Sequence, residues 1–135
     1  MFGRLFRRRA PAPLRGAPAV RRQKTFSAQT GYVYQYFFEG YRHSERDRRP
    51  GFEYVFLISS DRKSSFPLTV FLPIAAVESW QQTHGRELNP TERYAAVKMS
   101  LFETFDELPD LGPANAEVEI GIPDMERLLA ALDIE

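Results

Sequence analysis

Cysteine is absent from the 135 residues, which excludes disulfides, thiol nucleophiles and any metal centre built on thiolates. Histidine is scarce too, with only His43 and His84. His84 falls at a predicted helix end, where the last carbonyls favour a positive ring, so a capping role accounts for it. His43 stands beside Glu45 and Asp47, a conceivable ligand set. Arg42, Arg46, Arg48 and Arg49 crowd it, however, and each would repel a cation by ~1 kcal/mol at contact distance. No serine or carboxylate sits at a triad-like spacing from either ring. No catalytic residue, cofactor or metal ligand is therefore assigned, and the chain reads as non-enzymatic. No apolar run approaches the ~18 to 20 residues of a membrane-spanning helix. A secretory core is missing as well, because Arg, Pro or Gly interrupts residues 1–24 every few positions.

Acid is the other absence, and it is local. Eighteen basic and eighteen acidic residues cancel over the whole chain, yet residues 1–24 hold eight bases and no acid. Those bases are Arg4, Arg7, Arg8, Arg9, Arg15, Arg21, Arg22 and Lys24, so the remainder carries a formal charge of −8. Pro11, Pro13 and Pro18 deny this stretch a long helix. Residues 1–28 are expected to form a disordered basic arm dispensable for folding, and 29–135 a single α+β domain. Phe2, Leu5 and Phe6 at helical spacing suit a short basic turn with weak affinity for an anionic membrane. The arm has three readings: a solvated tail or start-site artefact, a nucleic-acid or anionic-surface contact, or a transit peptide. The expected compartment is the cytoplasm, or an organellar matrix if residues 1–24 are a transit peptide.

What is abundant is aromatic and β-branched residues in period-two order. Tyr32, Tyr34, Tyr36 and Phe38 alternate along one segment, Phe52, Tyr54, Phe56 and Ile58 along a second, and Phe66, Leu68, Val70 and Leu72 along a third. This spacing places each set on one face of a strand, which predicts a three-stranded antiparallel meander from Gly31 to Pro73. The ten residues from Arg42 to Gly51 read as a mobile charged loop, and Ser59–Ser65 as a shorter connection. Pro67 and Pro73 cannot donate to a ladder, so the third strand lies on an edge or keeps those nitrogens on its open side.

Helices follow. Pro73 suits the first turn of a helix that ends at about His84, with Gly85 as its left-handed stop. Asn89, Pro90 and Glu92 spell an N-cap, a first helical position and the return arm of a capping box. That helix runs to about Glu107 with an apolar stripe of Tyr94, Val97, Leu101, Phe105 and Leu108, leaving Ala96, Ser100 and Glu103 toward water. Lys98 falls within the stripe and is expected to lay its stem on the core with its amine in solvent. A short strand at Val118–Ile122 and a final amphipathic helix with Met125, Leu128, Leu129 and Leu132 complete a β-β-β-α-α-β-α order, helices packed on the sheet.

Gly51-Phe52-Glu53-Tyr54-Val55 resembles the aromatic strand of an RNA-recognition motif, a fold that stacks bases on such rings. The chain departs from that family in having no helix between its first two strands, in Glu53 where a small residue stands, and in Leu57 where an aromatic stands; it is assigned to no family. The opposite strand faces are more informative. Val33, Phe37, Tyr41, Val55, Leu57 and Phe71 alternate against the first set, so both sides of the sheet carry apolar groups. One side then awaits a cover, expected to be in part the last helix and in part a partner. The functional expectation is a small binding or interaction domain whose partner is a protein or a second copy, held through Phe37, Tyr41, Val55, Leu57 and Phe71. The alternative is a nucleic-acid-binding module acting through Arg4, Arg7, Arg8, Arg9, Arg21, Arg22 and Lys24, since a body of charge −8 repels phosphate.

The capping box can be tested alone. Asn89→Ala frees a backbone donor at the start of the longest helix and is expected to lower stability by ~0.5 to 2 kcal/mol in chemical denaturation. No change in the midpoint would place the helix start elsewhere.

Overall fold

The computed structural model describes residues 12–135, which form an α+β structure with a five-stranded mixed sheet. The strands are β1 (Lys24–Ser27), β2 (Val33–Arg46), β3 (Arg49–Ser59), β4 (Phe66–Pro73) and β5 (Glu117–Glu119). They lie side by side in chain order, antiparallel except for the parallel β4–β5 pair. Helices α1 (Ile74–His84) and α2 (Pro90–Glu107) connect β4 to β5, with a 3-10 turn at Pro113–Asn115, and α3 (Ile122–Ala131) follows. The expected meander is present as β2, β3 and β4. The order is β-β-β-β-α-α-β-α rather than β-β-β-α-α-β-α, because one more strand precedes it.

That strand lies inside the stretch expected to be a disordered arm. Phe26 is its one apolar anchor, stacked on Phe102 with ring centroids 4.6 Å apart and paired across the ladder with Tyr34. A single apolar residue has no period, so nothing in the sequence marked it. Further upstream Arg15 and Tyr41 exchange backbone hydrogen bonds, Arg15 N to Tyr41 O at 2.9 Å and Tyr41 N to Arg15 O at 2.8 Å. The described part of the arm thus runs along the outer edge of β2 and satisfies donors that an open edge would leave unpaired.

The stretch expected to be a ten-residue mobile loop is instead a hairpin. β2 and β3 stay in register out to Arg46 opposite Arg49, and only Asp47 and Arg48 turn the chain, both with positive φ (51° and 64°). Positive φ at both central residues matches the twist of the flanking strands. The charges that suggested a loop are ladder side chains.

A bulge between Phe38 and Gly40 shifts β2 by one residue. Before it, Tyr34, Tyr36 and Phe38 point to the helical side; after it, Tyr41 and His43 do, opposite Tyr54 and Phe52. Tyr41 therefore does not share a face with Phe37, contrary to strict alternation. Gly40 has φ 122° and lies so close to the Arg15 backbone that a Cβ would come within 2.9 Å of Arg15 O.

On β4, Thr69 N donates to Ala116 O across the β5 edge at 3.0 Å. Period two turns the nitrogens of Pro67 and Pro73 to the same side. Strand β5 covers only Thr69–Phe71, the stretch between the two prolines, so no ladder bond is lost.

The helices form one layer over one face of the sheet. Trp80, Val97, Leu101, Phe105, Met125, Leu128 and Leu129 share a buried core with Tyr34, Tyr54, Phe56, Ile58, Leu68 and Val70. Each fully buried aromatic or aliphatic side chain contributes about 1.5 to 3 kcal/mol. Gly85 adopts φ 70° and donates to Gln81 O at 2.8 Å, closing α1 as expected. The capping box is complete: Glu92 N donates to Asn89 Oδ1 at 2.8 Å and Asn89 N to Glu92 Oε1 at 3.1 Å. Ala96 and Ser100, expected toward water, are buried, and Glu103 pairs with Arg127 of α3. The reason is that α3 packs on α1 and α2. It widens the apolar side of α2 and takes no part in covering the second sheet face.

Gly51 lets the ring of Phe71 lie across β3. A Cβ there would meet Phe71 at 2.6 Å and Leu72 O at 2.6 Å, the latter a backbone atom with no freedom to yield. Gly51→Ala is expected to cost ~1 to 3 kcal/mol by overpacking, read as a lowered denaturation midpoint; an unchanged midpoint would mean β3 and β4 sit farther apart.

Candidate interaction surface

With the helices gathered on one side, the other face of the sheet is the candidate surface. Cross-strand pairing sets out its rows: Arg42 beside Glu53 and Phe71, Gly40 beside Val55 and Thr69, Phe37 beside Leu57 and Pro67, and Thr25 beside Gln35 and Ser59. The first row, toward the hairpin tip, is charged; the later rows are apolar and polar.

At the tip, one acid gathers two arginines. Arg42 Nε donates to Glu53 Oε1 at 2.7 Å and Arg46 Nη2 to Glu53 Oε2 at 3.0 Å, while Arg46 also pairs with Glu117 at 2.6 Å. Arg49 grips Glu119 with two bonds, at 2.6 and 2.8 Å. The Arg46 and Arg49 guanidinium carbons lie 5.3 and 5.9 Å from the centroid of the Phe71 ring beneath them. Such contacts are worth ~0.5 to 2 kcal/mol each. Phe71 lies on this face as expected, yet it is fully buried under the charges and supports the surface without being available to a partner.

Farther along, Phe37, Val55 and Leu57 are half-buried, and Val33 is 40% exposed. Arg21 crosses above Phe37, 4.0 Å from the ring centroid, and its Nη2 donates to Glu39 at 2.9 Å. Of the basic residues expected to meet nucleic acid, Arg21 is thus held by the body's own carboxylate, while Arg22 and Lys24 are exposed. Arg4, Arg7, Arg8 and Arg9 lie outside the described residues.

Next to Phe37 and Leu57 a cavity of about 250 Å³ opens between β2, β3 and the β3–β4 loop, lined also by Gln35, Arg62 and Lys63. The loop is built on Asp61, which accepts backbone hydrogen bonds from Lys63 and Ser64 at 2.8 and 2.9 Å and a hydroxyl bond from Ser64 at 3.1 Å. The Ser64 and Lys63 backbone donors hold its carboxyl down at about 2. Arg62 takes φ 64° in this turn, a conformation that costs a side-chain-bearing residue ~1 kcal/mol or more. Gln35 is the residue that sequence reasoning passed over. Between Tyr34 and Tyr36 it looked like an ordinary outward polar residue, yet it is 4% exposed and its amide has no hydrogen-bond partner among the described residues.

The remaining candidates have structural surroundings. His84 donates from Nε2 to Glu126 at 2.7 Å with its ring stacked on Trp80, centroids 4.1 Å apart. His43 lies in β2 with its ring tilted against that of Phe52, centroids 4.9 Å apart. Among the described residues no three acidic or histidine side chains gather into a group able to hold a metal. The Lys98 amine sits 5.6 Å from the Phe102 ring and 5.9 Å from that of Tyr94; burial and then the nearby Lys24 lower its pKa. No helix among the described residues is long and apolar enough to cross a membrane. No protein-family model matches the chain, and no curated protein or solved structure matches it.

Glu53 couples the charged rows to pH. Burial alone would raise its pKa, but hydrogen bonds from Arg42 and Arg46 outweigh it and hold the carboxyl below its ordinary value of 4.5. Its contribution to stability is therefore complete above that value and is lost as pH falls through the lower, folded-state pKa. Glu53→Gln is expected to lower stability by ~1 to 3 kcal/mol at pH 7, with the gap to wild type narrowing progressively below about pH 4.5. A gap that stays constant with pH in denaturation series would show that the two arginines do not favour the carboxylate.

Proposed function

We propose that the chain is a binding domain without catalytic activity, whose helix-free sheet face docks a protein, with a second copy of itself the first candidate. The observation that carries this reading is that all three described helices pack on one side while Phe37, Val55 and Leu57 stand on the other, under no helix, with Arg21 crossing above Phe37. An apolar stripe flanked by charge is the layout of an interface, with an apolar centre and a polar rim. The rim carries both signs, with Arg21, Arg42, Arg46 and Arg49 against Glu39, Glu53, Glu117 and Glu119. A two-fold axis lying in the plane of such a face opposes the two copies in a self-complementary contact, so acids and bases on opposite sides of the axis can pair across it. Binding of nucleic acid by the basic arm draws less support, because Arg21 is paired within the body and the rest of the chain is acidic.

Leu57→Asp separates docking from mere exposure. The wild-type chain is expected to self-associate in light scattering, and the variant to run as a monomer with a loss of ~3 to 6 °C in melting temperature. A wild-type monomer, or a variant with unchanged mass, would sink the self-docking reading.

A further inference from the structure

Gln35 is the one side chain on this surface whose chemistry is unfinished. Its amide nitrogen and amide oxygen are both buried and both without a partner among the described residues, and the residue lines the cavity beside Phe37 and Leu57. A buried amide left unpaired costs on the order of 1 to 3 kcal/mol, so a polar group that met it would gain that much. What would satisfy it is a group that presents an acceptor beside a donor in one plane. The floor next to the amide is Leu57 and the Phe37 ring, over which Arg21 lies 4.0 Å from the centroid, so a flat, weakly polar body seats on the leucine and takes the ring by displacing that guanidinium. At the wall stand Arg62 and Lys63, neither in an ion pair with any described carboxylate, on a turn that Asp61 holds with Arg62 in a strained backbone conformation. Two free cations over an apolar floor ask for an anion attached to that flat body.

We propose that this cavity is a binding site for a nucleoside monophosphate, with the base on Phe37 and Leu57, its donor–acceptor edge on the Gln35 carboxamide, and the phosphate on Arg62 and Lys63. Adenine is the base whose adjacent amino donor and ring nitrogen acceptor a glutamine side chain meets with two hydrogen bonds. Size limits the ligand to a single nucleotide unit at most, since about 250 Å³ falls just under the ~300 Å³ at which sites for drug-sized ligands begin. Charge argues for the free nucleotide over a nucleic-acid strand, because residues 25–135 sum to −8 and repel a polyanion beyond the two cations of the wall. The site goes beyond the docking reading and does not depend on it, although Phe37 and Leu57 serve both, so a docked partner and a nucleotide compete for the same floor.

The test is calorimetric titration of the full chain, at concentrations below its self-association, with AMP, adenosine and ribose 5-phosphate. AMP is expected to bind, and each fragment to bind at least about tenfold more weakly, because each keeps only half of the contacts. Gln35→Met keeps the length of the side chain and removes both amide groups. It is expected to weaken AMP roughly tenfold to a hundredfold while leaving the melting temperature equal or higher, since an unpaired buried amide is gone. The double variant Arg62→Ala, Lys63→Ala is expected to lower AMP affinity about tenfold and flatten its salt dependence. No heat with millimolar AMP, ribose 5-phosphate binding as tightly as AMP, or a melting temperature that falls in Gln35→Met would each overturn the proposal. None of these results bears on the solution mass of Leu57→Asp, so the two readings fail separately.

Discussion

The one-residue bulge between Phe38 and Gly40 is the constraint on which the two faces of this sheet depend. Strict alternation along β2 would carry the even-numbered residues onward on the helical side, sending Arg42 and Arg46 into the core and Tyr41 out of it. The extra residue reverses that parity midway. Tyr41 turns inward against Tyr54, ring centroids 5.3 Å apart, and Arg42 and Arg46 turn outward to Glu53. A 14-residue strand thus delivers aromatic residues to one layer over its whole length while its second half supplies cations to the other. The bulge also turns the backbone edge of Tyr41 toward Arg15, where Gly40 leaves room for the upstream chain.

From that parity follows the division of the open face. Near the hairpin tip the surface is closed by its own chemistry, a ring roofed by two guanidinium groups whose charges are matched by Glu53, Glu117 and Glu119. Such a lattice stabilises by being mostly satisfied, and its most buried acid feels the arginines most strongly. Toward the other end the satisfaction stops. Phe37 has one arginine over it, and among the described residues Leu57 has no such cover and the Gln35 amide no hydrogen-bond partner. The unsatisfied end, not the charged end, is where both proposed occupants are placed.

Both functional readings rest on that incompleteness, one on apolar area and the other on an unpaired amide beside free cations. They make different demands on the same patch. A protein partner needs a broad, dry contact centred on Phe37 and Leu57, whereas a nucleotide needs only the cavity at its margin. Competition between them would give the domain a way to couple small-molecule binding to assembly, with no change of fold required.

Period-two order among aromatics was enough, from the sequence alone, to determine the meander and the membership of its core face through Tyr34, Tyr36, Tyr54, Phe56, Leu68 and Val70. Capping chemistry likewise determined where α2 starts, and Gly85 where α1 ends, because both signals act within a few residues along the chain. What needed contacts between distant residues was decided only by tertiary structure. Strand β1 forms because Phe26 finds Phe102; the charged hairpin forms because Arg42 and Arg46 find Glu53; Ala96 and Ser100 are buried because α3 arrives beside them. The bulge that moved Tyr41 off the candidate surface has no local signature beyond a glycine, and Gln35 takes its place in the sheet between Thr25 of β1 and Ser59 of β3, neighbours that no local pattern names. Local rules see the alternation of a strand, but neither its slip by one residue nor which neighbour will leave a polar group dry.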